Sequence, residues 1–350
     1  IDPEDANQSW HSYTLEDVGG GVLKLVRQRT RGEHPIFSYP NKDGGSNVPI
    51  KTEDAGNEGG ASRVVLVKPR SNPSCTLDTT PYTQIFGTFY NIPPSVSTTD
   101  IGAALMQSEE LVKVAMDLGC LHLIQPYLGN VFGQFRQKLF VAIKSDPARW
   151  IQLAMALENT SIYTECLIHL VGAHPGWTSP TSKKTLPTEL QQLIARKSEE
   201  LDSKCTELER ELLLVTIKVR RGPVTPQDGH VETWMLVQMF RDALATQLLS
   251  MRTPKQMTLR RGVVYRKLRK GGSEYMEIDE VRGVCRGIMQ SDWKDLAEDL
   301  KILKEYAAAM VEDMAANELM IDPDAHGIGY LTCTKVKADD MPWHPVPFGS

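Results

Sequence analysis

The chain has 350 residues, 41% of them apolar, and a formal net charge of −5. That length predicts two domains with cores of their own, and the modest acidic balance argues against a chain given over as a whole to nucleic acid. No apolar run reaches the roughly 18 residues of a membrane span, and the acidic start Ile1-Asp2-Pro3-Glu4-Asp5 has no signal-peptide pattern.

Residues 1–61 read as weakly ordered. Gly19-Gly20-Gly21 precedes Val22-Leu23-Lys24-Leu25-Val26, whose alternation predicts a short strand. Residues 41–62 are rich in Gly, Asn, Asp, Glu and Lys, cannot bury enough apolar surface to offset ordering, and read as a flexible insert. Val64-Val65-Leu66-Val67 is a β-branched run that predicts a buried strand.

A relay of short amphipathic helices is expected over 82–172. It opens on Tyr82, Phe86, Phe89 and Tyr90, breaks at Pro93-Pro94, and resumes over 99–118 with Ile101, Leu105, Val112 and Ala115 at helical spacing and Gly119 as the stop. It continues over 120–128 and, as one helix, over 131–143. Asp146-Pro147 is an N-cap followed by proline at the first helical position, with Trp150, Leu153 and Leu157 on one face. After Asn159-Thr160 the next helix carries Ile162, Cys166 and Leu170, and Gly172 is expected to end it.

The stretch 175–185 reads as a domain boundary. Beyond it, helices are expected over 189–219, with Leu190, Ile194, Leu201, Leu208 and Val215 roughly seven apart, over 232–249, and over 291–317. In the last, Trp293, Leu296, Leu300, Leu303, Ala307, Met310 and Met314 form a narrow apolar seam, expected to pack inside its own domain. The fold class is therefore α+β and predominantly α-helical, with a small N-terminal sheet and a helical domain over 185–340.

Chemistry is sparse. Six scattered cysteines (Cys75, Cys120, Cys166, Cys205, Cys285, Cys333) without a CxxC pair fit reduced thiols in the cytoplasm or nucleus. Cys166 and His169 share a helix face, but no second pair completes a zinc site, and they read as a buried thiol and a hydrogen-bonded histidine. Asp322-Pro323-Asp324 imitates half a calcium loop, yet Cys333 stands where the bidentate glutamate belongs; a turn leading into a strand at Tyr330-Leu331-Thr332-Cys333 is expected. Residues 255–270 are basic without an acid. Arg260, Arg261, Arg266, Lys267, Arg269 and Lys270 form the one candidate site, a patch for an anionic partner such as nucleic acid or for the chain's own acidic surface. No catalytic, cofactor-binding or metal-ligating residues are expected. Neither GxSxG nor HExxH occurs, and Gly271-Gly272 lacks the context of a phosphate loop.

One resemblance emerges. Tyr82-xxx-Phe86-xx-Phe89-Tyr90, the proline-containing turn, 96–118, Gly119-Cys120-Leu121 and Ile124-xx-Tyr127-Leu128 resemble the C-terminal half of a BTB/POZ domain. There an aromatic-rich helix leads to a helical hairpin ending in a pattern like A-x-x-L-G-C-x-x-L. Asp146-Pro-x-Arg149-Trp150, Ser161-Ile-Tyr163-x-Glu165 and Ile168-His169-Leu170-Val171-Gly172 look like the helical extension of the BTB-like proteins of filamentous fungi. The likeness covers about 62–175, an interaction module with its extension, and is fainter at Arg210-Glu-Leu-Leu213, Thr233-Trp234 and 330–333. In front the chain departs from the family, because Gly-rich sequence and the insert stand where the strand, hairpin and first two helices belong. The resemblance implies a non-enzymatic protein–protein interaction or adaptor module: homo-oligomerisation, recruitment of a cullin-type ubiquitin ligase, or assembly of a regulatory complex. It implies no cofactor and no membrane partner.

Overall fold

The computed structural model describes residues 80–219, 222–227, 229–251, 253–289 and 295–343, and the backbone of 11–17 and 23–29. By Cα proximity the chain divides into two compact units, Ile1–Thr83 and Gln84–Ser350. In the first, β1 (His11–Asp17) and β2 (Leu23–Arg29) form an antiparallel hairpin with His11 opposite Arg29 and Asp17 opposite Leu23. β2 is the strand expected after the glycine triplet, while β1 gave no signal that was read. The insert at 41–62 and the strand expected at 64–67 lie outside the described residues.

The rest is predominantly helical. α1 (Thr80–Thr88) leads to α2 (Ile101–Leu118), where Asp100 Oδ1 caps the first turn by accepting from the amides of Gly102 at 2.8 Å and Ala103 at 3.3 Å. Gly119 ends α2 in the left-handed region, as expected. The helix expected over 131–143 is in fact two, α3 (Gln125–Gln134) and α4 (Gln137–Ser145), separated at Arg136, whose φ is +50°. Gly129 and Gly133 weaken the helix just before this break. α5 (Pro147–Leu157) starts on the Asp146 cap and α6 (Thr160–Ala173) on Asn159. Trp150, Leu153 and Leu157 are all buried, and the Trp150 ring meets Phe132 edge-on at 5.2 Å.

α6 also corrects an expectation. Gly172 does not stop the helix but lies inside it, because a Cβ there would sit 2.2 Å from the Leu331 carbonyl oxygen. The residue is glycine for close approach of a second backbone.

α7 (Thr188–Leu213) follows, ending short of the expected Val219. The chain then makes the two-stranded ladder β3 (Lys218–Val219) and β4 (Gly222–Pro223). α8 (Val231–Leu249), α9 (Pro254–Lys270), α10 (Ile278–Met289) and α11 (Leu296–Val311) complete the helices. The segment 175–185 lies within the unit Gln84–Ser350, and α6 packs on both α7 and α9 across it.

Leu296, Leu300, Leu303 and Ala307 of the α11 seam are buried in one cluster with Leu208, Leu212, Phe240 and Tyr265, and Met310 and Met314 pack half-buried against it. The seam therefore stays within this unit, shifted C-terminally to include Val311 and Ala315; Trp293 is outside the described residues.

After α11 the chain runs over 316–343 as a strap across the helices, broken by a turn at 323–327 and a single 3-10 turn at Ala338–Asp340. Ile321, Ile328 and Tyr330 pack with Ile168 and Ala173 of α6. The strand expected at 330–333 is reduced to a single parallel bridge, Asn317 to Thr332, since the strap spends its contacts on helices rather than on a neighbouring strand.

Candidate functional site

The basic run folds as α9, and its helical period distributes the six candidate residues around the axis. Arg261 and Arg266 point inward and are only 4% and 7% exposed. Arg261 Nη1 lies 2.6 Å from Asp202 Oδ1, and its Nε 2.8 Å from Glu209 Oε1, both on α7. The Tyr265 hydroxyl, one turn on, donates to the same Glu209 oxygen at 2.9 Å. Arg266 pairs with Asp324 at 2.6 Å and donates to the strap carbonyls of Ile328 and Tyr330. Lys270 takes the other Asp324 oxygen at 2.9 Å, and Arg269 pairs with Glu312 at 2.7 Å. Arg260 and Lys267 are exposed and make no ion pair with any described residue. The six residues thus form no continuous basic surface. Four of them hold α9 to α7, α11 and the strap.

This settles the Asp322–Asp324 turn. Burial would raise the Asp324 carboxyl, but its hydrogen bonds from Lys270 and Arg266 hold it below its ordinary range. That carboxylate anchors the strap, and among the described residues no group of three or more His, Cys, Asp or Glu side chains is placed to hold a metal ion.

A second polar cluster is sealed in α6. Glu165 and His169, one turn apart, are 1% and 0% exposed. His169 Nδ1 lies 2.7 Å from the Tyr330 hydroxyl, and Glu165 Oε2 accepts from the Met320 amide at 3.0 Å, so both side chains grip the strap. Glu165 Oε1 and His169 Nε2 face each other at 3.8 Å and have no other partner. That is too long for a hydrogen bond, and the two are not an ion pair. Burial raises the Glu165 carboxyl to about 7, against a smaller lowering by the Met320 amide, and lowers the His169 imidazole to about 4, with the Lys144 charge adding to the effect. At neutral pH the imidazole is therefore uncharged. With the hydrogen of His169 on Nε2, the Tyr330 hydroxyl donates to Nδ1.

Cys166 does not join His169. It is fully buried and its thiol is pushed up by that burial, which leaves it inert. Cys120, Cys205 and Cys285 are also buried as free thiols, and Cys333 is half-buried.

Sequence reasoning missed Glu165, Tyr330, Asp202 and Glu209. Two titratable residues four apart in an otherwise apolar helix were a visible signal. So was Asp202 seven residues before Glu209 on one face of α7. Their partners are 161 and 59 residues away, and no local pattern joins them.

Two concave surfaces and one convex one complete the candidates. A cleft of about 500 Å³ lies between the end of α9, the start of α10 and α11, and another of about 530 Å³ lies under the strap at Met320. Where α1 ends, Phe86, Phe89, Tyr90 and Ile92 are 49%, 56%, 80% and 61% exposed, and the two phenylalanine rings touch at 6.4 Å. Among the described residues no helix is long and apolar enough to cross a membrane. Compared with protein-family models, characterised proteins and solved structures, the chain matches none.

Proposed function

We propose that the protein is a non-catalytic interaction or adaptor module acting in the cytoplasm or nucleus. The observation that carries this reading is the exposed turn Phe86–Phe89–Tyr90–Ile92, four large apolar side chains within seven residues. Apolar groups clustered in this way on a surface are a hallmark of partner sites. The turn also falls within the stretch that resembles a BTB/POZ domain, a family of oligomerisation and cullin-recruiting modules. The buried groups Glu165, His169, Arg261 and Arg266 favour the same reading, because each is occupied in fastening the strap or α7. Nucleic-acid binding through 255–270 has less in its favour, since Arg261 and Arg266 are turned inward.

The test is sedimentation of the full chain, alone and with a cullin-type scaffold, for the wild type and for Phe89→Asp with Tyr90→Asp. The wild type is expected to self-associate or to bind the scaffold, and the double variant to lose this with an unchanged circular-dichroism spectrum. A wild type that stays monomeric and unbound, or association that survives the substitutions, overturns the reading.

A further inference from the structure

The cleft beside the α9 C-terminus has a composition unlike the rest of this acidic chain. Ile278, Ala297, Leu300 and Ala308 give it an apolar floor, and Arg269, Lys270, Lys301 and Lys304 stand around it. Among the described residues two carboxylates, Glu277 and Glu305, line it; Arg269, Lys270 and Lys301 are paired with Glu312, Asp324 and Glu305, which leaves Lys304 as its cation without a described carboxylate at ion-pair distance. The carboxylates that hold Arg269 and Lys270, Glu312 and Asp324, are not part of its lining. Lys301 is 74% exposed at its side chain, and its nearest carboxylate, Glu305, is 3.7 Å away. A volume of about 500 Å³ lies in the range of small-molecule sites.

We propose that this cleft binds a small amphiphilic anion, with a carboxylate or phosphate head held by Lys301 and Lys304 and an apolar body laid on Leu300, Ile278 and Ala297. An apolar floor gives a free inorganic anion nothing to gain, and a cationic amphiphile would meet like charge at the mouth. Lys304 has a structural task too, since its Nζ donates to the Gly272 carbonyl at 2.6 Å and so ties α11 to the turn that follows α9. One carbonyl does not match an ammonium. Burial lowers the Lys304 amine below its ordinary value, against a smaller raising by Glu277. An anionic head would supply the missing partner as a charge-assisted hydrogen bond.

This inference does not depend on the apolar turn at 86–92, and its test is separate. The full chain is titrated at neutral pH, by calorimetry and ligand-observed NMR, with octanoate, octyl phosphate, octylammonium and inorganic phosphate. One or both amphiphilic anions should bind saturably at one site, about ten-fold or more tighter than octylammonium or inorganic phosphate. Binding of octanoate alone identifies a carboxylate head, and of octyl phosphate alone a phosphate head. Lys301→Gln with Lys304→Gln should weaken binding about ten-fold with the thermal midpoint little changed. Ala297 is exposed, so Ala297→Trp should fill the cleft and abolish binding without altering charge, which keeps the test decisive if the lysine variant folds poorly. No saturable binding at millimolar concentration, equal binding of octylammonium or inorganic phosphate, or binding unaffected by Ala297→Trp would overturn the proposal.

Discussion

α6 and α9 both press against the same strap, and each buries two basic or acidic side chains, yet they treat charge in opposite ways. On α9, Arg261 and Arg266 pair with carboxylates that reach water: the Asp202 side chain is 64% exposed and that of Asp324 34%. On α6, Glu165 and His169 are both sealed, at 2% and 0% side-chain exposure. Two opposite charges there would have to be desolvated together, a cost that their mutual attraction at 3.8 Å need not repay. The proton therefore sits on the carboxyl, and the pair is neutral. On α9 a carboxylate partner of each arginine keeps one side in solvent, and on α6 neither group does.

The largest expected effect is on the charged side. Arg261→Met strands Glu209, whose side chain is 14% exposed, and removes the link from α9 to α7. Breaking a buried pair from one side costs about 3–5 kcal/mol, and the low end is expected because Asp202 is solvated. Guanidinium melts give the value. A loss under about 1 kcal/mol would mean that Arg261 is not held as described.

Gly172→Ala and Gly262→Ala test whether the strap is seated equally on both helices. A Cβ at either position would approach a strap carbonyl oxygen, of Leu331 or Tyr330, to 2.2 Å. Overpacking against backbone should cost about 3 kcal/mol, the upper end of the usual range. The two losses should be similar, and a large difference would show that the strap leans on one helix.

Tyr330→Phe acts on the neutral side alone. It leaves His169 Nδ1 without its partner in a dry site and should cost about 1–3 kcal/mol. The same substitution should leave the Arg266 bond to the Tyr330 carbonyl intact.

The proton argument makes a sharper prediction. His169 has its folded value lowered from 6.5 to about 4, so the unfolded chain takes up a proton first as pH falls, and stability is lost from pH 6.5 downwards. Glu165 has its folded value raised from 4.5 to about 7, so the unfolded chain releases its proton first as pH rises, and stability is lost from pH 4.5 upwards. Between 4.5 and 6.5 folding moves one proton from imidazole to carboxyl with no net uptake, and the pair contributes a flat profile. Glu165→Gln should unmask a fall in stability below pH 6.5, and His169→Gln a fall as pH rises towards 7. Denaturation midpoints across pH 4–8 measure both slopes.

The smallest effect belongs to the exposed end of α9. Lys270→Ala should leave the denaturation midpoint nearly unchanged, since its side chain is 51% exposed and Arg266 still holds Asp324.

Much of the helical frame was legible in the residues. Asp146-Pro147, Asn159 and Gly119 mark helix ends by local hydrogen bonding and backbone preference, which need no distant partner. The periods of Trp150, Leu153 and Leu157, and of Leu296, Leu300, Leu303 and Ala307, named buried faces correctly because a helix turns one face to its core whatever that core is. What the period cannot say is which surface arrives there. Gly172 looked like a stop because glycine weakens helices, and only the Leu331 carbonyl explains it. The 255–270 run looked like one basic face because charge was counted along the chain, whereas the helical turn sends Arg261 and Arg266 inward to carboxylates 59 and 58 residues away. The sequence by itself marked many of the helices, several of their caps and their apolar faces, all consequences of interactions within a few residues, while α9 and α10 were not among the helices it predicted. Only the tertiary structure decided which charges were buried, which proton moved and where the strap lay, because those depend on solvent exclusion by segments far apart in the chain.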